Sequence, residues 1–121
     1  MSVRILVIED SPVIRQLIGV CLRGDDIEVI TRDDGPRGLE AVKTESPDLV
    51  ILDIGLPGMN GWQVLEAIRS DPDTIHLPVV VLTAHAQEDC QELADRAGAD
   101  VVITKPFQIK EFRATVLDRI R

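Results

Sequence analysis

Five polar residues stand where apolar runs stop: Glu9, Asp10, Asp53, Thr83 and Lys105. Asp53 closes the run over residues 49–52, and a loop punctuated by Gly55, Pro57, Gly58 and Gly61 follows it. Glu9 and Asp10 follow the apolar stretch 3–8, Thr83 ends the stretch that begins at Pro78, and Lys105 follows 101–104. Brought together, three carboxylates repel, and each disfavours the ionisation of its neighbours. Such a cluster asks for a cation. An all-oxygen ligand set suits Mg²⁺, which keeps several waters and favours phosphate. A hydroxyl and an ammonium beside the ion are suited to phosphoryl oxygens. Taken singly, each residue has a plainer reading. Asp53 could cap a turn or the next helix, and Glu9 and Asp10 could serve a helix N-terminus. Thr83 could be an ordinary β-branched strand residue, and Lys105 a solvated charge.

The elements that carry these residues decide between the two readings. Residues 3–8 are apolar except for Arg4. Ser11 and Pro12 then suit the N-cap and the first position of a helix, and Ile14, Leu17, Ile18 and Cys21 recur at helical spacing. Gly24-Asp25-Asp26 stops that helix, and 27–31 reads as a short strand. Asp33-Asp34-Gly35-Pro36 opens a second helix with Leu39 and Val42 inward, ended before Pro47. Residues 49–53, apolar and β-branched up to the carboxylate, read as a strand buried on both faces. A third helix spans 61–69 with Val64, Leu65 and Ile68 on one face. After the polar loop 70–77, residues 78–83 form another buried strand. Residues 87–97 form a fourth helix, with Cys90, Leu93, Ala94 and Ala97 aligned and Gly98 as its C′ glycine. Residues 101–104 make a fifth strand, and 108–119 a last helix.

Five strand–helix units in strict alternation predict an α/β fold. It is a doubly wound, five-stranded parallel sheet between two layers of helices, a (βα)5 three-layer sandwich with right-handed crossovers. For five strands the flavodoxin-like order 2-1-3-4-5 is expected. It sets strands one and three side by side at the switch point, where ligands bind beyond the carboxyl ends. All five polar residues then fall on one rim. Residues 1–121 read as one domain, without internal repeats or low-complexity segments, and the length suffices for one core.

Composition narrows the setting. Aromatic residues are only 2% of the chain, so the core must be built from Val, Ile, Leu and Ala. No apolar run approaches the roughly 20 residues of a membrane span, and the opening MSVRILVIED lacks the order of a signal peptide. Cys21 and Cys90 both fall at apolar helix positions, which predicts reduced core thiols and a cytoplasmic protein. A net charge of −8 argues against direct nucleic-acid binding by this domain.

With Glu9-Asp10, Asp53, Thr83 and the Lys105-Pro106 pair in order after their strands, the chain resembles the receiver domain of two-component response regulators. The resemblance covers essentially all of the chain. The run L-P-G-M-N-G after Asp53 and Gly98-Ala99-Asp100 before the fifth strand fit as well. The resemblance implies a signalling switch rather than an enzyme, with self-catalysed phosphorylation and dephosphorylation. Asp53 would take a phosphoryl group from a histidine kinase or a phosphotransfer protein and form an aspartyl phosphate. Mg²⁺ would be held by Glu9 or Asp10, Asp53, the backbone carbonyl of Gly55 and waters. Lys105 would help the ion to neutralise the loose transition state. Thr83 would turn to the new phosphoryl group and draw residues 84–87 with it, remodelling a protein-interaction face made by helix four, strand five and helix five. A cis bond before Pro106 fits the family, since X-Pro is where cis bonds occur. His85, two residues past Thr83, would overhang the site and modulate dephosphorylation; the alternative is an exposed loop histidine without a role.

Two departures stand out. The family usually has Tyr or Phe three residues before the lysine. Here that place holds Val102, and the chain has no tyrosine. A ring-rotation readout there is impossible, which leaves the transmission of activation open. Val101 and Val102 also stand where many DNA-binding members carry acids for a charged dimer face. They read either as strand core or as an apolar contact surface. Among rival classes, a phosphatase of the haloacid-dehalogenase kind needs an acid two residues after the nucleophile, where Gly55 stands. A flavin-binding module needs a first turn rich in Ser, Thr and Gly, and Glu9-Asp10 would repel its phosphate. A receiver-like docking module that is never phosphorylated is the remaining alternative, though such modules usually lack one of the five residues.

Overall fold

The computed structural model describes residues 3–24, 26–84 and 88–120, without the side chains of 88–91 and 93. Strands and helices alternate as β1 (Val3–Ile8), α1 (Pro12–Cys21), β2 (Ile27–Arg32), α2 (Gly35–Thr44), β3 (Leu49–Asp53), α3 (Gly61–Ser70), β4 (Val79–Thr83), α4 (Glu88–Ala97), β5 (Val101–Thr104) and α5 (Ile109–Ile120). All strand pairs are parallel, in the order β2-β1-β3-β4-β5. The doubly wound sheet and its switch point between β1 and β3 are therefore as the sequence predicts. Boundaries shift by a residue. β2 continues to Arg32 because Arg32 still pairs with Ile8. β4 begins at Val79, since Pro78 has no N–H to donate and joins β3 only through its carbonyl. The expected start of the fourth helix at Gln87 lies outside the described residues.

Period-two alternation divides the three central strands between two layers of core. Leu6, Ile8, Val50, Leu52, Val79 and Val81 pack with Ala41 and Val42 of α2 and Val64, Leu65 and Ile68 of α3. Ile5, Val7, Leu49, Ile51, Val80 and Leu82 pack with Ile18, Cys21 and Leu22 at α1 and Phe112 and Val116 of α5. Every residue of β3 and β4 is buried. Each large aliphatic side chain so removed from water contributes roughly 1.5–3 kcal/mol, and this anchors the strand ends that carry the polar residues. Val101 packs on the second layer and Val102 on the first, so this pair is strand core. Cys21 is a buried free thiol, as predicted, and burial pushes its pKa up. The side chain of Cys90 lies outside the described residues.

Caps place the helix starts on the same rim as the strand ends. Ser11 accepts the Ile14 N–H at 3.3 Å with Pro12 behind it, and Asp34 accepts the Arg37 N–H at 2.8 Å. Asn60 and Gln63 form a reciprocal capping box, with both bonds at 3.0 Å. Gly98 ends α4 with φ +88°, and the Lys105–Pro106 bond is cis.

Candidate functional site

β1 and β3 are neighbours with Ile8 opposite Leu52. The next pair outward is therefore Glu9 and Asp53. The Glu9 N–H still donates to the Arg32 carbonyl at 3.0 Å, so β1 carries its alternation one residue past its end. Burial at this depth is unusual for carboxylates: Glu9 is 1% exposed and Asp53 6%. Asp10 is exposed. One ligand oxygen from each of Glu9, Asp10 and Asp53 lies within 4.8 Å of the other two, the one such cluster among the described residues.

Lys105 closes the group from the other side of β3. Its Nζ stands 3.3 Å from Glu9 Oε2 and 3.5 Å from Asp53 Oδ1. One ammonium thus faces two buried carboxylates, with the exposed Asp10 beside them. Burial pushes the Glu9 carboxyl from 4.5 up to about 7, and the charge of Asp53 and a hydrogen bond with it push the same way. Lys105 and the Ser11 N–H, 3.2 Å from Oε1, pull back more weakly. Without a cation, Glu9 therefore gives up its proton at a higher pH than an ordinary glutamate. A hard divalent ion that displaces this proton finds three carboxylate oxygens and, at Asp10, an exposed side on which to keep waters. The donor set fits Mg²⁺.

Asp53 is held from below. Its Oδ1 accepts the Gly55 N–H at 3.0 Å. Gly55 thus touches the site through its N–H, whereas the resemblance assigns its carbonyl to the cation. Gly61 has a sharper reason than loop punctuation. A Cβ there would stand 2.5 Å from the Asp53 carbonyl oxygen and 2.6 Å from Ile54 Cα. The first turn of α3 lies directly against the backbone that carries Asp53, and only glycine permits that approach.

Thr83 ends β4 and is 3% exposed. Asp53 pairs with Leu82, so Thr83 stands one residue farther out on the adjacent strand. Its carbonyl accepts the Lys105 N–H at 2.7 Å, which ties the two residues together through the backbone. The fold thus brings Glu9, Asp10, Asp53 and Lys105 together and sets Thr83 beside them on the same rim. His85 lies outside the described residues. Sequence reasoning missed Arg15, whose Nη1 donates to the Glu9 carbonyl at 2.8 Å. The available signal was its place four residues after the cap Ser11, from which a helical side chain leans back toward the N-terminus.

Comparison with known proteins agrees with the fold. The profile of the response regulator receiver domain matches residues 5–117. The DNA-binding response regulator MtrA of Mycolicibacterium smegmatis is 40% identical over 121 residues, covering 100% of this chain and 52% of that protein. The KDP operon transcriptional regulatory protein KdpE of Escherichia coli is 38% identical over 117 residues, 97% of this chain and 51% of that protein. The chain spans about half the length of the curated relatives it matches. Among solved structures, chemotaxis protein CheY4 of Vibrio cholerae aligns with a TM-score of 0.90 at 26% identity over 100% of both chains. The receiver domain of sensor histidine kinase PA1611 from Pseudomonas aeruginosa, solved with a magnesium ion coordinated in the active site cleft, aligns with a TM-score of 0.88. It is 27% identical, over 99% of this chain and 98% of that one.

Proposed function

Because the chain belongs to the response regulator receiver domain family of two-component systems, we propose that Asp53 is its phosphoacceptor and that Glu9, Asp10 and Asp53 hold Mg²⁺. The phosphoryl donor is a phosphohistidine on a sensor kinase or phosphotransfer protein. An Asp53 oxygen forms the new P–O bond as the P–N bond breaks, and the imidazole nitrogen keeps the electron pair. The observation that carries this reading is Lys105 Nζ lying 3.5 Å from Asp53 Oδ1 over a buried acid pair. That ammonium sits where the charge of the transferring oxygens develops. The Gly55 N–H orients the Asp53 carboxylate. Thr83 offers its hydroxyl to the phosphoryl group, and Gly55 adds its carbonyl to the ligand set. Bound Mg²⁺ supplies further neutralisation of phosphoryl charge.

The domain itself catalyses both gain and loss of the phosphoryl group, and His85 modulates the loss. The switched surface is the face of α4, β5 and α5, with an effector or output domain as its client and no nucleic acid bound by this domain. No helix among the described residues is long and apolar enough to cross a membrane. A free buried thiol at Cys21 agrees with a reducing compartment such as the cytoplasm. A docking role without phosphorylation is disfavoured, since all five residues of the site are present.

Acetyl phosphate and Mg²⁺ should add one phosphoryl group to the wild type and none to Asp53→Asn. Labelling of the variant at the wild-type rate would sink the assignment. Mg²⁺ at a hundredfold excess over Kd should stabilise the fold by roughly 2.7 kcal/mol, and Asp10→Ala should shrink that rise.

A further inference from the structure

Arg15 lies in the first turn of α1, where its own N–H closes a helical bond to the Ser11 carbonyl at 3.0 Å. Its half-buried side chain runs back past the N-cap, and Nη1 donates to the Glu9 carbonyl at 2.8 Å. The remaining polar atoms of Glu9 are held as well. Its N–H donates to the Arg32 carbonyl, Oε1 accepts from Ser11, and Oε2 accepts from Lys105. The carbonyl gripped by Arg15 belongs to the rigid peptide plane that leads into Asp10. Any rotation of that plane swings Asp10. Asp10 is exposed, so it lacks the packing that holds Glu9 and Asp53 in place.

We propose that Arg15 is a positioning residue for the cation: its guanidinium fixes the Glu9–Asp10 peptide so that both acids reach the ion that Asp53 shares. The inference rests on the cation-site reading above. It is a hydrogen-bonding role, and charge alone would act in the opposite sense. A guanidinium near the site repels Mg²⁺, so an Arg15 that acted only through its charge would weaken binding, and its loss would tighten it.

That opposition makes the test decisive. Mg²⁺ is titrated calorimetrically into the 121-residue chain as wild type, Arg15→Met and Arg15→Lys, each checked for folding by a metal-free melt. Methionine keeps much of the stem and removes every donor; lysine keeps a charged ammonium donor. Arg15→Met should raise the Mg²⁺ Kd about tenfold or more, the range for a lost outer-shell partner, and Arg15→Lys should stay within about threefold of wild type. A merely structural arginine would lower the melting temperature of both variants and leave Kd unchanged. An unchanged or tighter Kd in Arg15→Met overturns the proposal. If Arg15→Met does not fold, Arg15→Gln, neutral and too short to reach the carbonyl, takes its place under the same criterion. Absence of Mg²⁺ binding by the wild type would defeat the cation-site reading itself, a result distinct from loss of the Arg15 role alone.

Discussion

At the end of the sheet where the strands begin, each arginine finds backbone carbonyls or a carboxylate to serve. Arg69 of α3 donates to the carbonyls of Gly98 at 2.9 Å, Ile75 at 3.1 Å and Leu77 at 2.7 Å, and to Asp100 Oδ2 at 3.1 Å. The same Asp100 oxygen accepts the Val79 N–H at 2.8 Å, which ties the start of β4 to the turn before β5. Arg113 of α5 donates to the Cys21 and Arg23 carbonyls, where α1 ends. At the other end of the same strands, Glu9 and Asp53 share one ammonium with Asp10 beside them, and burial pushes the Glu9 carboxyl up to about 7. The first end satisfies its polar groups and supports the fold. The second collects unrelieved charge, and a ligand can relieve it.

Arg69→Ala tests the matched end and should have the largest effect. It strips donors from three carbonyls and leaves Asp100 without its guanidinium, so unfolding free energy should fall by about 3 to 5 kcal/mol. Urea denaturation reads this, and calorimetry should find the Mg²⁺ Kd unchanged. A parallel loss of Mg²⁺ affinity would show that the two ends are not independent.

The crowded end should show itself in pH. The folded-state pKa of Glu9 is raised from 4.5 to about 7, so the folded protein holds a proton that the unfolded chain releases. The stability from this group is fully present below about 4.5 and is lost as pH rises through about 7. The loss is at most roughly 3 kcal/mol, at about 1.4 kcal/mol per pKa unit. Metal-free wild type should therefore lose stability relative to Glu9→Gln as pH rises across that window, and saturating Mg²⁺ should abolish the difference. Parallel pH profiles of the two metal-free proteins would mean that Glu9 is ionised throughout.

The smallest effect belongs to a pair that resembles the others only on paper. Arg4 Nε lies 3.2 Å from Glu28 Oε2, but both side chains are about half exposed, at 45% and 52%. Glu28→Ala should cost less than about 0.5 kcal/mol, and salt should screen even that. A loss near that of Arg69→Ala would mean that proximity alone, not satisfied backbone, sets the worth of the matched end.

Much of this molecule is local in origin, and that part is legible without coordinates. Apolar runs that end in Asp53, Thr83 or Glu9-Asp10 mark strand ends, and Ser11-Pro12 marks a helix start. Strict alternation then leaves a parallel sheet whose carboxyl rim gathers those residues. The Asn60–Gln63 capping box carried an equally local signal, an Asn followed three residues later by Gln. What the chain alone does not reveal depends on separations that only packing sets. The sequence places Lys105 on the rim, but its 3.3 Å approach to Glu9 Oε2 is set by packing, and burial by helices and neighbouring strands is what pushes the Glu9 carboxyl up. Gly61 is required because α3 lands on the backbone of Asp53. Arg15 and Arg69 act on carbonyls that any residue could have supplied, so no side-chain pattern announces them. Residue type and spacing place a carboxylate at a strand end, whereas its protonation and its partners follow from the crossovers that bring distant backbone against it.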